Sequence, residues 1–172
     1  VDDLALARAL AEGDAEAFRH LVERETPMVF RTCYRILGRV EDAEDATQEA
    51  LVNIVRHIGS VNPALGFSSW AYTVSINAAK EFYRKKKRYL EVVGNYGKDV
   101  SVSAPLPETG EETASGKILE ALSRLSPALR EAVVLTVYEE LSHADAAKIL
   151  GCAEKTVSWR VHEARKNLKS IL

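Results

Sequence analysis

Apolar positions fall at helical spacing almost throughout the chain, and no segment keeps the strict alternation of a half-buried strand. Asp14 is suited to cap a helix carrying Phe18, Leu21 and Val22. Thr26-Pro27 reads as a second cap with proline at the first helical position, leading into Val29, Phe30, Cys33 and Ile36, with Gly38 as the stop. Between positions 42 and 58, Ala43, Ala46, Ala50, Leu51, Ile54, Val55 and Ile58 form one stripe, with Asp45, Gln48, Glu49 and Arg56 opposite. Asn62-Pro63 and Gly66 mark a loop, and a long helix is predicted from about 67 to 89.

Residues 92–117 break the pattern. Gly94, Gly97, Gly110 and Gly116 accompany Pro105 and Pro107, apolar residues are sparse, and the stretch reads as an exposed, mobile linker. Four short helices are predicted beyond it. The first holds Ile118, Leu119, Leu122 and Leu125, and Ser126-Pro127 caps and starts the second. Ser142 and Asp145 form a capping box for the third, which Gly151 ends, and the fourth runs from near Glu154 to Leu168. The expected fold is all-α: a helical domain over 1–91, a linker over 92–117 and a second helical domain over 118–172.

Length changes this picture little, since 172 residues suit one ordinary domain or two small ones. Apolar runs of only a few residues exclude a membrane span, and the opening Val1-Asp2-Asp3 does not read as a secretory signal. Cys33 and Cys152 give neither a metal-ligand spacing nor a disulfide framework; they read as small buried apolar side chains in a reducing compartment.

A net charge of −2 by itself argues against nucleic acid, but its distribution does not. Glu41, Asp42, Glu44, Asp45 and Glu49 form an acidic block, whereas Lys80 and the run Arg84, Lys85, Lys86, Lys87 and Arg88 form a basic one. Such segregation predicts separate surfaces for a basic and an acidic partner.

Two stretches carry chemistry. The third and fourth C-terminal helices, joined by a tight turn at Gly151-Cys152, have a helix-turn-helix layout. With Val157, Val161, Ala164 and Leu168 buried, Lys155, Ser158, Trp159, His162 and Arg165 would face outward, with Lys166 and Lys169 near the end. Such a helix suits the DNA major groove, and equally the surface of an ordinary αα-hairpin. In the helix from Phe67, the steps Trp70, Thr73, Asn77, Lys80 and Arg84 share one face, opposite a buried Ala71, Val74, Ala78 and Phe82. Aromatic, amide and cationic groups in a row suit a single nucleic-acid strand: rings stack on unpaired bases, an amide reads a base edge and cations hold phosphates. The alternative is a core tryptophan beside a solvated helix end. His20, His57, His143 and His162 show no zinc spacing, and neither a phosphate-cradling glycine loop nor a nucleophile elbow is present. No catalytic constellation, metal or cofactor is expected.

The stretch Asp42-Ala43-Glu44-Asp45-Ala46-Thr47-Gln48-Glu49-Ala50, followed by Phe67-x-x-Trp70 and by Asn77 ahead of the basic run, resembles region 2 of bacterial sigma factors. The stretch from Leu125-Ser126-Pro127 through Leu141-Ser142-x-x-Asp145-Ala146-Ala147 and Gly151 to Thr156-Val157 resembles region 4. Two such regions and a short linker are the layout of the group 4, or extracytoplasmic-function (ECF), sigma factors.

The resemblance implies a promoter-specificity subunit without enzymatic activity, acting in the bacterial cytoplasm. Its partners would be core RNA polymerase (the β′ clamp coiled coil and the β flap), promoter DNA and an anti-sigma factor. Docking would fall to Asp42, Asp45, Gln48, Glu49, Val52 and Arg56. The melted −10 strand would meet Val61, Asn62, Phe67, Trp70, Thr73, Asn77, Lys80, Arg84, Lys85 and Arg88. The −35 duplex would meet Lys155, Thr156, Ser158, Trp159, Arg160, His162, Arg165 and Lys166. The linker would thread toward the polymerase active-site and RNA-exit channels.

Val61 stands where an aromatic is common. Trp159 and Glu163 stand where small or basic residues are usual, and Glu163 would either repel phosphate or accept from a cytosine amino group. A second reading is a sigma-fold mimic that only sequesters an anti-sigma factor; retention of Trp70, Asn77 and the basic run argues against it. A third, an ordinary helix-turn-helix repressor, leaves the acidic helix unexplained.

Overall fold

The computed structural model describes residues 3–61, 66–94 and 114–170. Every element among them is helical: α1 (Asp3–Ala11), α2 (Ala15–Leu37), α3 (Val40–His57) with a 3-10 turn (Ile58–Ser60), α4 (Phe67–Gly94), α5 (Ala114–Ser123), α6 (Pro127–Val133) with a π-helical turn (Val134–Tyr138), α7 (His143–Leu150) and α8 (Glu154–Lys169).

Helices α2, α3 and α4 pack against one another, and α1 lies on α2 and the 3-10 turn. Leu21, Val29, Cys33, Ile54 and Ile76 are fully enclosed between them. Burying each of the larger aliphatic side chains contributes about 1.5–3 kcal/mol. Burial also pushes the Cys33 thiol up to about 12, so Cys33 is an inert core residue. In the C-terminal part, α8 packs on α6 and α7 around Leu122, Val134, Leu135 and Val157.

The start of α2 forms as expected: the Asp14 carboxylate accepts from the backbone N–H of Glu16 at 2.8 Å and of Ala17 at 3.2 Å. Gly38, at φ 78, ends it in the left-handed region. Thr26-Pro27, however, does not start a helix, and Pro27 lies inside α2. An interior proline costs about 3 kcal/mol. The stripe Leu21, Val29, Cys33 and Ile36 is buried on both sides of it, and packing outweighs the missing bond. The Thr26 hydroxyl, rather than capping, donates back to the Val22 carbonyl at 2.6 Å.

Ser126-Pro127 does start α6, although the Ser126 side chain makes no capping bond. The helix expected to continue to Leu141 widens into the π turn instead. Residues 92–94 and 114–117, expected in the linker, are helical. The remainder of the expected linker, 95–113, lies outside the described residues.

Candidate nucleic-acid and polymerase interfaces

The C-terminal surface is built from its cap outward. Ser142 Oγ accepts from the Asp145 N–H at 3.0 Å, and the same hydroxyl donates to the Asp145 carboxylate at 2.7 Å. That bond, with help from Lys148, holds the Asp145 carboxyl below the usual carboxylate range. At the other end of α7, Gly151 takes φ 63, and the Cys152 N–H donates to the Ala147 carbonyl at 3.0 Å. This left-handed turn sends the chain into α8, where Val157, Val161 and Ala164 face the core.

Lys155, Ser158, Trp159, His162, Arg165 and Lys166 are therefore all exposed, in a row along α8, and Trp159 is 60% exposed. Thr156 and Arg160 are half-buried, with Arg160 Nη1 3.9 Å from the Cys152 sulfur. Ser158 donates to the Glu154 carbonyl at 3.2 Å and lies 2.8 Å from His143 Nδ1 on α7. Leu168 is only half-buried. Among the described residues Lys155, Arg165 and Lys166 form no ion pair.

The face on α4 is more compromised. Asn77 and Arg84 are exposed, and Trp70, Thr73 and Lys80 are half-buried. Phe67, expected to meet DNA, is only 6% exposed: it belongs to the core, with the Arg24 guanidinium 5.1 Å over its ring and Trp70 tilted against it at 5.8 Å. The inner face of α4 is Phe67, Ala71, Ser75, Ile76, Ala78 and Ala79; the expected Val74 and Phe82 are half-buried. Val61 is half-buried just after the 3-10 turn, and Asn62 lies outside the described residues.

On α3, Asp45, Gln48, Glu49, Val52 and Arg56 form a continuous exposed row, as i, i+3, i+4 spacing requires. Asp42 is half-buried. The acidic and basic blocks do not form separate surfaces: Lys86 pairs with Asp42 at 2.5 Å, and Lys85 lies 3.5 Å from Glu49. Helices α3 and α4 are neighbours in the bundle, which places oppositely charged runs side by side. A groove of about 360 Å³ lies between them, lined by Glu49, Asn53, Asn77, Lys80 and Arg84.

The contacts between the two domains have no counterpart in the sequence pattern. The Glu139 side chain is 2% exposed and accepts from Arg31 at 3.1 Å, Arg35 at 2.5 Å and the Tyr72 hydroxyl at 2.9 Å. Burial, then the bond to Glu139, pushes the Tyr72 phenol up, so Tyr72 stays a donor. Arg130 donates to the carbonyls of Leu122, Ser123 and Leu125, and crosses to the Ile36 carbonyl at 2.6 Å. Burial pulls its guanidinium below the ordinary arginine range. Lys80 pairs with the buried Glu131 at 3.0 Å. No periodicity separates such residues from a solvated surface; a polar pair within an apolar run, as at Arg130-Glu131, is the one available signal.

Two helical domains, one carrying an exposed helix-turn-helix face, define a DNA-binding class of protein. Sigma-70 region 2 matches residues 21–89, and Sigma-70, region 4 matches residues 115–168. The chain is 31% identical to the ECF RNA polymerase sigma factor SigW of Bacillus subtilis (strain 168), over 96% of this chain and 94% of that one. It is 30% identical to the ECF RNA polymerase sigma factor SigM of Mycobacterium tuberculosis, over 99% and 84% of the two chains. In three dimensions it resembles the sigma factor RpoE in the co-crystal structure with the anti-sigma factor NepR from Bartonella quintana. That match has a TM-score of 0.71 and 26% identity, over 91% and 96% of the chains.

The chain belongs to the ECF RNA polymerase sigma factors. It is thus an alternative sigma factor, a DNA-binding regulatory protein that directs core polymerase to specific promoters. No helix among the described residues is long and apolar enough to cross a membrane.

Proposed function

We propose that the chain divides this work among three surfaces. The exposed row Asp45, Gln48, Glu49, Val52 and Arg56, with Asp42 at its edge, docks on the β′ clamp coiled coil. Region 4, taken as 118–172 beyond a linker over 92–117, meets the β flap. Trp70 stacks on an unpaired −10 base, Asn77 reads a base edge, and Lys80, Arg84, Lys85 and Arg88 hold phosphates, with Val61, Asn62 and Thr73 at the rim. Lys155, Ser158, Trp159, His162, Arg165 and Lys166 read the −35 duplex, with Thr156 and Arg160 behind them. The observation carrying this reading is the exposed row on α8, whose Lys155, Arg165 and Lys166 form no ion pair among the described residues while its opposite face is locked into the core.

The chain carries out no chemistry of its own. Capturing flipped bases costs a few kcal/mol, which binding supplies. It acts in the cytoplasm, and an anti-sigma factor holds it in reserve. The co-crystallised relative with NepR supports that last point. Reversing Asp45 and Glu49 to Lys tests the docking row. The variant should compete at least about tenfold less well for core polymerase, the equivalent of roughly 1.4 kcal/mol. Unchanged competition rejects the docking role.

A further inference from the structure

We propose that Arg31, Arg35 and Tyr72 form a carboxylate receptor on the N-terminal domain, and that its occupant in the free chain is Glu139 of the C-terminal domain. Vacating this receptor then separates the two DNA-reading domains. The functional consequence rests on the division of promoter reading proposed above; the clasp itself rests on geometry alone.

The Glu139 carboxylate takes its hydrogen bonds from the other domain: two guanidinium groups of α2 and one phenol of α4. The carboxylate is withdrawn from water, at 2% exposure, while Arg31 keeps 49% and Arg35 24%. The guanidinium groups are therefore surface groups of α2 that a carboxylate entering from outside completes. Arg35 also lies 4.7 Å over the Tyr138 ring, so consecutive residues of the turn after α6 both seat on it. Each guanidinium donates one charge-assisted bond, Arg31 to Oε2 and Arg35 to Oε1, so both carboxylate oxygens are held and the register of the turn is fixed. A second contact reinforces the first: Lys80 is held by Glu131, whose side chain is 6% exposed.

The closed arrangement excludes promoter binding on geometric grounds. The −10 and −35 elements are separated by roughly 25 base pairs, or about 85 Å of duplex at 3.4 Å per pair. In the closed chain α7 packs directly on α4. Both elements cannot be read at once from two domains in contact, and Lys80 cannot hold a phosphate while Glu131 holds it. Polymerase and promoter therefore bind an open form, and Glu139 biases the free chain away from it.

Small-angle scattering of the full chain, free of polymerase and DNA, tests the clasp. The wild type should show a radius of gyration of about 16 Å, as a compact chain of this length requires. Glu139→Gln should raise it by about 5 Å with the helical circular dichroism unchanged. The pair Arg31→Ala with Arg35→Ala, on the partly exposed side of the receptor, should do the same and decides the matter if Glu139→Gln loses helicity. A compact double variant, or a wild type already extended, overturns the proposal. In run-off transcription the opened variants should reach half-maximal output at several-fold lower protein concentration. Transcripts absent from wild type and variants alike would reject the proposed promoter reading while the scattering result stood.

Discussion

The basic run of α4 and the cations of α8 are the same chemistry in opposite electrostatic states. On α4, Lys80 is paired with Glu131, Lys85 with Glu49 and Lys86 with Asp42, while Arg84 and Arg88 both reach Glu81. On α8, Lys155, Arg165 and Lys166 have no such partner among the described residues. A phosphate meeting α8 finds unneutralised cations on a rigid helix. A phosphate meeting α4 must first displace a carboxylate. Under the proposed division of promoter reading, the α8 face would take duplex DNA directly, whereas the α4 face would need polymerase to draw its acidic neighbours away. Charge counting alone misses this, because the C-terminal half carries fewer cations than the N-terminal half.

The sharpest way to break the comparison is at the strand-reading face. Replacing Trp70 and Asn77 together by Ala should lower promoter melting by about 100-fold, since stacking alone contributes roughly 1–3 kcal/mol per base. Permanganate reactivity of −10 thymines would report it, and binding to core polymerase should be nearly unchanged. Persistent melting would remove the assignment of that face.

A smaller effect separates the two sets of cations. Lys155→Ala or Arg165→Ala should weaken holoenzyme binding to −35 duplex. Either should also lower the slope of log affinity against log salt by about 1 for each phosphate left without its cation. Lys85→Ala and Lys86→Ala should lower it by less, because those lysines already neutralise Glu49 and Asp42. Equal slopes would show that the internal pairs do not matter.

The smallest effect concerns the turn that carries Glu139. Its neighbour Glu140 is the one non-glycine residue with positive φ among the described residues, at 53°, and it is exposed. A left-handed conformation costs an ordinary residue about 1–2 kcal/mol, and glycine's greater freedom in the unfolded chain offsets part of the relief. Glu140→Gly should therefore stabilise the C-terminal domain by about 0.5–1 kcal/mol in urea denaturation without altering the N-terminal domain.

Local rules make much of this molecule legible in advance. The Asp14 cap, the Gly38 and Gly151 stops, the Ser142 capping box and the α8 stripe all depend on residues within one or two turns, and each forms. What stays hidden depends on tertiary neighbours. Pro27 lies mid-helix because packing on both sides outweighs its missing hydrogen bond. Phe67 is core because α2 brings Arg24 over it. Glu139, Arg31, Arg35 and Tyr72 each have the look of surface residues until the second domain docks. Helix α1, at the edge of the bundle, is only nine residues long and is closed by Gly13 at φ 79. The Gly13 N–H donates to the Leu10 carbonyl and the Asp14 N–H to that of Ala9, a stop that falls directly before the Asp14 cap of α2.

The most direct test of the sigma-factor assignment is run-off transcription with core RNA polymerase and fragmented genomic DNA, with and without the chain. Discrete transcripts should appear only when the chain is added, with start sites that align to reveal a shared −10 and −35 element. Absence of both transcripts and core binding would contradict the assignment and turn the reading toward a sigma fold kept only to occupy an anti-sigma factor.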